Sequence, residues 1–469
     1  MCEDRQSKFT TVVDTIKGSF MSTKSALYEV QKHNIKTLRD QPFAEISGSF
    51  GDLGTLLPIL IALSDSGAVW IDSSLVFSGI ANIVTGCLFG IPLPVQPMKA
   101  IAAIALAQGL NRDEVASAGL IVAGVVGFLS FTGLLHRTAR FIPIPVIKGI
   151  QVGTGLSLIT YVGKLAVPSK WDAEGFVTGG LVPLLLFLAL LCNTLYPRVP
   201  AALLIVTVGL AYAVTLGFPC WWFPCRLAPN IWKPIPSVPS AVSFRSGVLQ
   251  AGLGQIPLTT LNSVFAVAFL AKDLFPEHPE PSTTGIGLSV MIFNLVGCWY
   301  SAMPVCHGSG GLAAQYRFGA RSGSSVIFLG LVKLLLGLFF GNFFWIASKT
   351  FPKPLLAVMV FAAGLELVKV GQSLNTTAAR DVCGDARKLA VSSTVQSEEN
   401  RGLTEEEKTR RYVVMFVTVG GILAFQNDLA GFLAGMASHW TLRFVGWVEQ
   451  RRSERGQIRL DEEDFPSRS

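Results

Sequence analysis

The chain has 469 residues, half of them hydrophobic and only 15% charged, with a mean hydropathy of +0.50 and a formal net charge of +7. A soluble protein of this length needs far more charged surface, so the composition excludes a soluble globular enzyme and points to a lipid bilayer. The basic excess forms no basic helix with interleaved aromatics, which argues against nucleic acid as a partner.

Residues 1–42 mix charges of both signs and lack the apolar stretch of a signal peptide, so they read as a cytoplasmic segment ahead of a first helix that directs insertion. From 43 to 447 the apolar residues come in long runs. Backbone crossing a bilayer must be helix or closed barrel, and the short alternating segments of a barrel are missing from the pattern. The prediction is an all-α polytopic membrane protein. Seven segments fall near 43–64, 73–91, 98–109, 115–135, 142–163, 177–193 and 200–217. Cys220 and Cys225 then flank an aromatic loop, open to a disulfide on an oxidising side or to a plain interfacial anchor. Seven more segments fall near 252–271, 284–301, 308–318, 323–345, 353–368, 411–425 and 428–447. The polar stretch 369–411 reads as a flexible cytoplasmic loop, and 448–469 as a cytoplasmic tail.

The two sets of seven resemble each other. Pro94-Val95 returns as Pro304-Val305, and Glu45, Ser49 and Asp52 fall on Gln255, Thr259 and Asn262. Gly155-Leu156 returns as Gly364-Leu365, and Val206-Thr-Val-Gly209 as Val417-Thr-Val-Gly420, all offset by about 210 residues. This gives repeat 1 at about 43–217 and repeat 2 at about 252–447. An odd number of segments per repeat inverts the second half relative to the first, a plan shared by many secondary transporters. With the N-terminus in the cytoplasm, most Lys and Arg residues fall in inside segments, and only Lys99 and Lys333 fall within spans. Both termini are then cytoplasmic, in a plasma or organellar membrane.

The third segment of each repeat is short and follows a proline-rich, non-helical stretch: Gly90-Ile-Pro-Leu-Pro-Val-Gln-Pro-Met-Lys99 and Ala302-Met-Pro-Val-Cys-His-Gly-Ser-Gly-Gly311. Such interruptions at matching places in two halves point to a transporter site. Two half-helices would start inside the membrane and offer unpaired N–H groups and positive dipole ends to an anion. Candidate ligands are Gln96, Met98, Lys99 and Ala100 from the first start, and His307, Gly308, Ser309 and Gly310 from the second. Lys99 has the alternatives of snorkelling or pairing with a carboxylate, His307 of capping or packing, and the glycines of close helix packing. On the first segment of each repeat, Ser49 and then Gln255, Thr259 and Asn262 share a helix face and are candidate ligands, while Glu45, Asp52 and Glu366 are candidate proton carriers. Hydrogen bonding between helices is the other use for these polar residues. The chain carries no HExxH, P-loop or GxSxG sequence, so no enzyme activity, metal or cofactor is expected.

The strings Gly51-Asp-Leu-Gly-Thr55, Pro92-Leu-Pro-Val-Gln-Pro-Met-Lys-Ala100, Pro257-Leu-Thr-Thr-Leu-Asn-Ser-Val264 and Met303-Pro-Val-Cys-His-Gly-Ser-Gly-Gly-Leu-Ala313 resemble the molybdate transporter family of plants, algae and fungi, which is related to sulfate permeases. The resemblance covers about 43–447. It implies the seven-plus-seven fold of uracil and sulfate transporters, with a core and a gate domain and without the STAS domain of the permeases; related folds often dimerise, so a homodimer is one of the assemblies left open. It also implies molybdate as substrate. The residues themselves specify only a small anion, leaving open a sulfate or nucleobase carrier, a membrane enzyme or a non-transporting anion sensor.

Overall fold

The computed structural model describes residues 27–50, 53–135, 137, 141–166, 188, 209, 231–279, 281–375 and 404–463. Asp52, the Cys220–Cys225 loop, the expected segments 177–193 and 200–217 apart from residues 188 and 209, and most of the 369–411 stretch lie outside the described residues. A helix over 27–40 (α1) precedes α2 (Pro42–Ser49), α3 (Leu53–Ser66), α4 (Ile71–Phe89), the strand β1 (Val95–Pro97), α5 (Lys99–Gln108), α6 (Arg112–Phe131) and α7 (Ile144–Ala166). The second half follows as α8 (Ala241–Leu274), α9 (Thr283–Gly297), β2 (Val305–His307), α10 (Ser309–Arg317), α11 (Ser324–Thr350), α12 (Lys353–Lys369), α13 (Glu405–Phe425) and α14 (Asp428–Glu463). Among the described residues, six helices (α4, α6, α8, α9, α11 and α12) are long and apolar enough to cross a membrane.

Helix ends depart from the apolar runs because caps, not hydropathy, fix them. Ser240 accepts the Ser243 N–H and starts α8 well before the expected 252. Thr404 and Glu407 form a capping box, so α13 starts at Glu405, inside the stretch expected as loop. α14 likewise continues to Glu463, through most of the expected tail.

The repeat shows in the packing. α4 runs along α11, and α6 along α9. Repeat 2 maps α4 onto α9 and α6 onto α11, so these are one contact made twice. α7 packs on its own counterpart, α12. Glycines set these seams. A Cβ on Gly330 would lie 2.6 Å from the Gly79 carbonyl oxygen, and one on Gly86 2.5 Å from that of Gly323. Gly155 and Gly364 face each other in the same way, at 2.6 Å and 2.8 Å from the opposing oxygen. Helix backbones that touch gain dispersion and lose no side-chain entropy, the usual solution where lipid leaves little hydrophobic drive between helices. α13 and α14 add to α7. The described helices thus form a core group (α2–α6, α8–α11) and a gate group (α7, α12–α14).

α1 is tied to the core by one buried residue. Asn34 donates to the Gly86 carbonyl, accepts the Gly323 N–H, and receives the Ser324 hydroxyl on its backbone oxygen. It thereby joins the ends of α4 and α11.

Gly330→Val and Gly364→Val each force two helix backbones apart, at a cost of about 1–3 kcal/mol or more. Both are expected to lower the melting temperature of the purified protein. Gly124→Val, where no described atom lies within 4 Å of the new Cβ, should leave it close to wild type.

Candidate functional site

Gly90 ends α4 in the left-handed region at φ 66°, and Ser301 does the same one repeat later at φ 51°. Each turn sends the chain back into the membrane as extended, proline-rich backbone. β1 and β2 then meet as an antiparallel ribbon with Val95 opposite His307, Gln96 opposite Cys306 and Pro97 opposite Val305. Extended backbone in a bilayer interior must find hydrogen bonds within the protein. Besides the ribbon itself, two buried asparagines supply them. Asn82 Oδ1 on α4 accepts the Val95 N–H at 2.6 Å, and Asn294 Oδ1 on α9 accepts the Val305 N–H at 2.7 Å while its Nδ2 donates to the Val305 carbonyl at 2.6 Å.

α5 and α10 leave from opposite ends of the ribbon. Their N-cap residues, Met98 and Gly308, provide no side-chain cap. The Met98 N–H is taken by Pro304 O at 2.8 Å, and the first backbone bonds inside the helices are Ala102 to Met98 and Leu312 to Gly308. The first-turn N–H groups of Lys99 to Ile101 and of Ser309 to Gly311 therefore stand at the helix starts with the positive ends of two dipoles.

A cavity of about 300 Å³ lies against both starts, between the core and gate groups. From the core, Gln96, Lys99, Gln255, Asn262, Gly308, Ser309 and Gly310 line it; from the gate come Lys148 and Gln151 on α7 and Glu366 and Ser373 at α12. The Ser309 hydroxyl donates to Asn262 Oδ1 at 3.1 Å. Gln96 fills the space beside the start of α10: a Cβ on Gly308 or Gly311 would lie 2.5 Å or 2.0 Å from its side-chain amide. Gly310 differs, because a Cβ there meets no described atom within 4 Å. Among the described residues, no carboxylate forms an ion pair with Lys99.

α8 carries two π turns, Val248–Gly252 and Thr259–Phe265. The second lays Leu261, Asn262 and Ser263 together along the cavity. Thr259 is fully buried behind it and accepts the Gln255 Nε2 proton at 2.8 Å, which leaves Gln255 Oε1 without a partner. Which end of a carboxamide faces which way is set by its hydrogen-bond partners. Turned over, Gln255 accepts from Thr259 and presents NH2 to an anion.

The remaining sequence candidates sit off the cavity wall. Ser49 is buried and bonds back to the Ile46 carbonyl at 2.6 Å. Met98 and Ala100 place their side chains in the apolar core. His307 is buried with Nε2 2.7 Å from Ser289 Oγ, edge-on to Phe89 and Phe293, which is the packing role. Glu45 accepts the N–H groups of Arg321 at 2.9 Å and Ser325 at 3.1 Å, and so caps the start of α11. Asn82 and Asn294 were legible but overlooked. Asn82-Ile-Val and Asn294-Leu-Val, each followed closely by Gly-Cys, are a further repeat match.

Two crossed half-helices facing one cavity between an inverted-repeat core and its gate define the class: a secondary transporter for an anion. Solved structures with this fold include the transmembrane domain of a cyanobacterial bicarbonate transporter, BicA, with a TM-score of 0.53 at 16% identity, covering 84% of this chain and 96% of that one. The murine anion transporter Solute Carrier 26 family member A9, in its inward-facing state, gives 0.55 at 14% identity over 88% of this chain and 71% of its own. The chain belongs to the family described as "Molybdate transporter of MFS superfamily", whose profile matches residues 44–158 and 247–367. Molybdate transporter 2 of Arabidopsis thaliana is 36% identical over 72% of this chain and 81% of its own, and Molybdate transporter 1 of Chlamydomonas reinhardtii 31% identical over 89% and 94%. The superfamily in that description is built from halves of six helices related in parallel, whereas inverted repeats with crossed half-helices make up the fold here.

Asn294→Ala strips partners from both the N–H and the carbonyl of Val305, each orphaned group costing about 1–3 kcal/mol. A lower melting temperature is expected. Asn294→Asp keeps the acceptor and should fall between Asn294→Ala and wild type in the same assay.

Proposed function

We propose that the chain carries molybdate across a membrane by alternating access, holding the tetrahedral dianion at the paired starts of α5 and α10. The observation that carries the reading is the shared cavity: Lys99 at the start of one half-helix and Ser309 and Gly310 at the start of the other lie against it, with Asn262 and Gln255 as polar neighbours. A dianion stripped of water needs many donors, and helix starts supply them without a side chain having to be ordered. Lys99 adds full charge. The relatives named as molybdate transporters support molybdate over other oxyanions.

The anion would pass between the core, which holds the half-helices, and the gate, which contributes Lys148, Gln151, Glu366 and Ser373. Glu366 is an acid on the gate side of the cavity, suited to carry a proton with the anion or to repel it once the site opens. The distribution of Lys and Arg supports cytoplasmic termini, in a plasma or organellar membrane. The proposal extends to a homodimer.

The test is uptake of labelled molybdate into proteoliposomes containing only this protein, with sulfate and uracil as competitors. Saturable uptake that survives excess sulfate is the expected result; equal loss to sulfate would defeat the choice of molybdate. Gly310→Val projects into the cavity without meeting a described atom, so it should fold normally and abolish most uptake. Lys99→Ala should raise the half-saturation concentration at least about tenfold, or about 1.4 kcal/mol.

A further inference from the structure

We propose that Asp428 is a proton-binding group that couples protonation to the sliding of gate against core, at the face of the protein opposite the cavity's open end. The proposal rests on the transporter reading above. Asp428 opens α14 with 0% of its surface exposed, and neither carboxyl oxygen has a hydrogen-bond partner among the described residues. It does not cap its own helix, because Asn427 Oδ1 takes the N–H groups of Leu429 and Ala430. Its side chain rests instead on the backbone of α8: a Cβ on Gly254 would lie 2.2 Å from Asp428 Cβ. Gly254 precedes Gln255, which lines the cavity. The contact therefore joins gate to core one residue from the anion site.

Nothing charged meets the carboxyl from the elements packed around it. α8 presents Gly254, α13 leads into α14 through Gln426 and Asn427, and α7, which also packs on α14, turns Lys148 to the cavity and Ser373 while its Tyr161 makes no bond to the acid. Among the described residues, no Lys, Arg or His pairs with it. The start of α14 favours negative charge, but a carboxylate sealed from water with no hydrogen bond is strongly disfavoured. The closed contact thus holds the neutral acid.

The position of the contact gives this consequence for transport. The cavity reaches exposed Asp273, near the other end of α8. About 19 residues of helix, roughly 28 Å, separate it from Gly254. Access is open at the Asp273 end while Asp428 is sealed at the other. Reversing access must lift Gly254 off Asp428 and let water in, and the hydrated acid then ionises. By linkage, proton binding and closure of this face favour each other. Falling pH holds the Asp428 face shut, and rising pH releases it.

Hydrogen–deuterium exchange of the full chain in lipid nanodiscs tests this without any substrate. Segments 248–258 and 426–432 are compared between wild type and Asp428→Asn at each pH, which cancels the intrinsic pH dependence of exchange. Wild type and D428N should exchange alike at about pH 5.5, and wild type at least about fivefold faster at about pH 8. A ratio unchanged between the two pH values overturns the proposal. Should D428N fail to fold, Gly254→Ala, which wedges the contact apart, should exchange fast at both pH values; wild-type pH dependence in G254A also overturns it. Loss of molybdate uptake with the exchange difference intact would count against the substrate reading alone.

Discussion

Everything at the centre of this protein depends on satisfying a short stretch of non-helical backbone inside a bilayer. The β1–β2 ribbon does so by pairing the two stretches with each other, and Asn82 and Asn294 take up backbone groups of Val95 and Val305 that the ribbon leaves over. Helices that begin from such a ribbon begin inside the protein, with their first turns beside the cavity. With Met98 and Gly308 as N-caps lacking a capping side chain, the N–H groups of those turns remain for a ligand. One hydrogen-bonding requirement thus produces both the fold's central crossing and its anion site.

Around that centre, the helices are joined by two kinds of contact. Within the core, the α4–α11 seam brings backbone against backbone at Gly79, Gly86, Gly323 and Gly330, a packing that resists sliding because any shift drives peptide groups into one another. The Gly155–Gly364 seam does the same within the gate. Between core and gate, α3 packs on α12 and α5 on α7 through one apolar cluster, and beside that lie the cavity, with polar groups from both sides, and the contact of Gly254 with Asp428. Glycine seams inside each group keep it rigid, which a transporter moving two bodies past a fixed site requires.

The family description and the fold address different properties. Identity of 31–36% to named molybdate transporters sets kinship, while BicA and the Solute Carrier 26 structure, at 14–16%, set only the architecture.

The sequence by itself determined the class, the repeat and the position of the half-helix starts. Hydropathy and proline act locally, so Pro97 before Lys99 and the glycine run at Gly308 disclose a helix start without knowledge of its neighbours. Gln96, Lys99, Gln255, Asn262 and Ser309 were legible as cavity residues for the same reason. Only the tertiary structure decided which polar residues face one another. Glu45 and Ser49 are the repeat counterparts of Gln255 and Thr259, yet Glu45 caps α11 and Ser49 turns back on its own helix. Thr259, one turn beyond Gln255, is buried and bonds its amide instead of lining the cavity. Asp428 reads as an ordinary helix-start acid, and its burial exists only because a glycine on a distant helix lets the backbone of α8 lie against it.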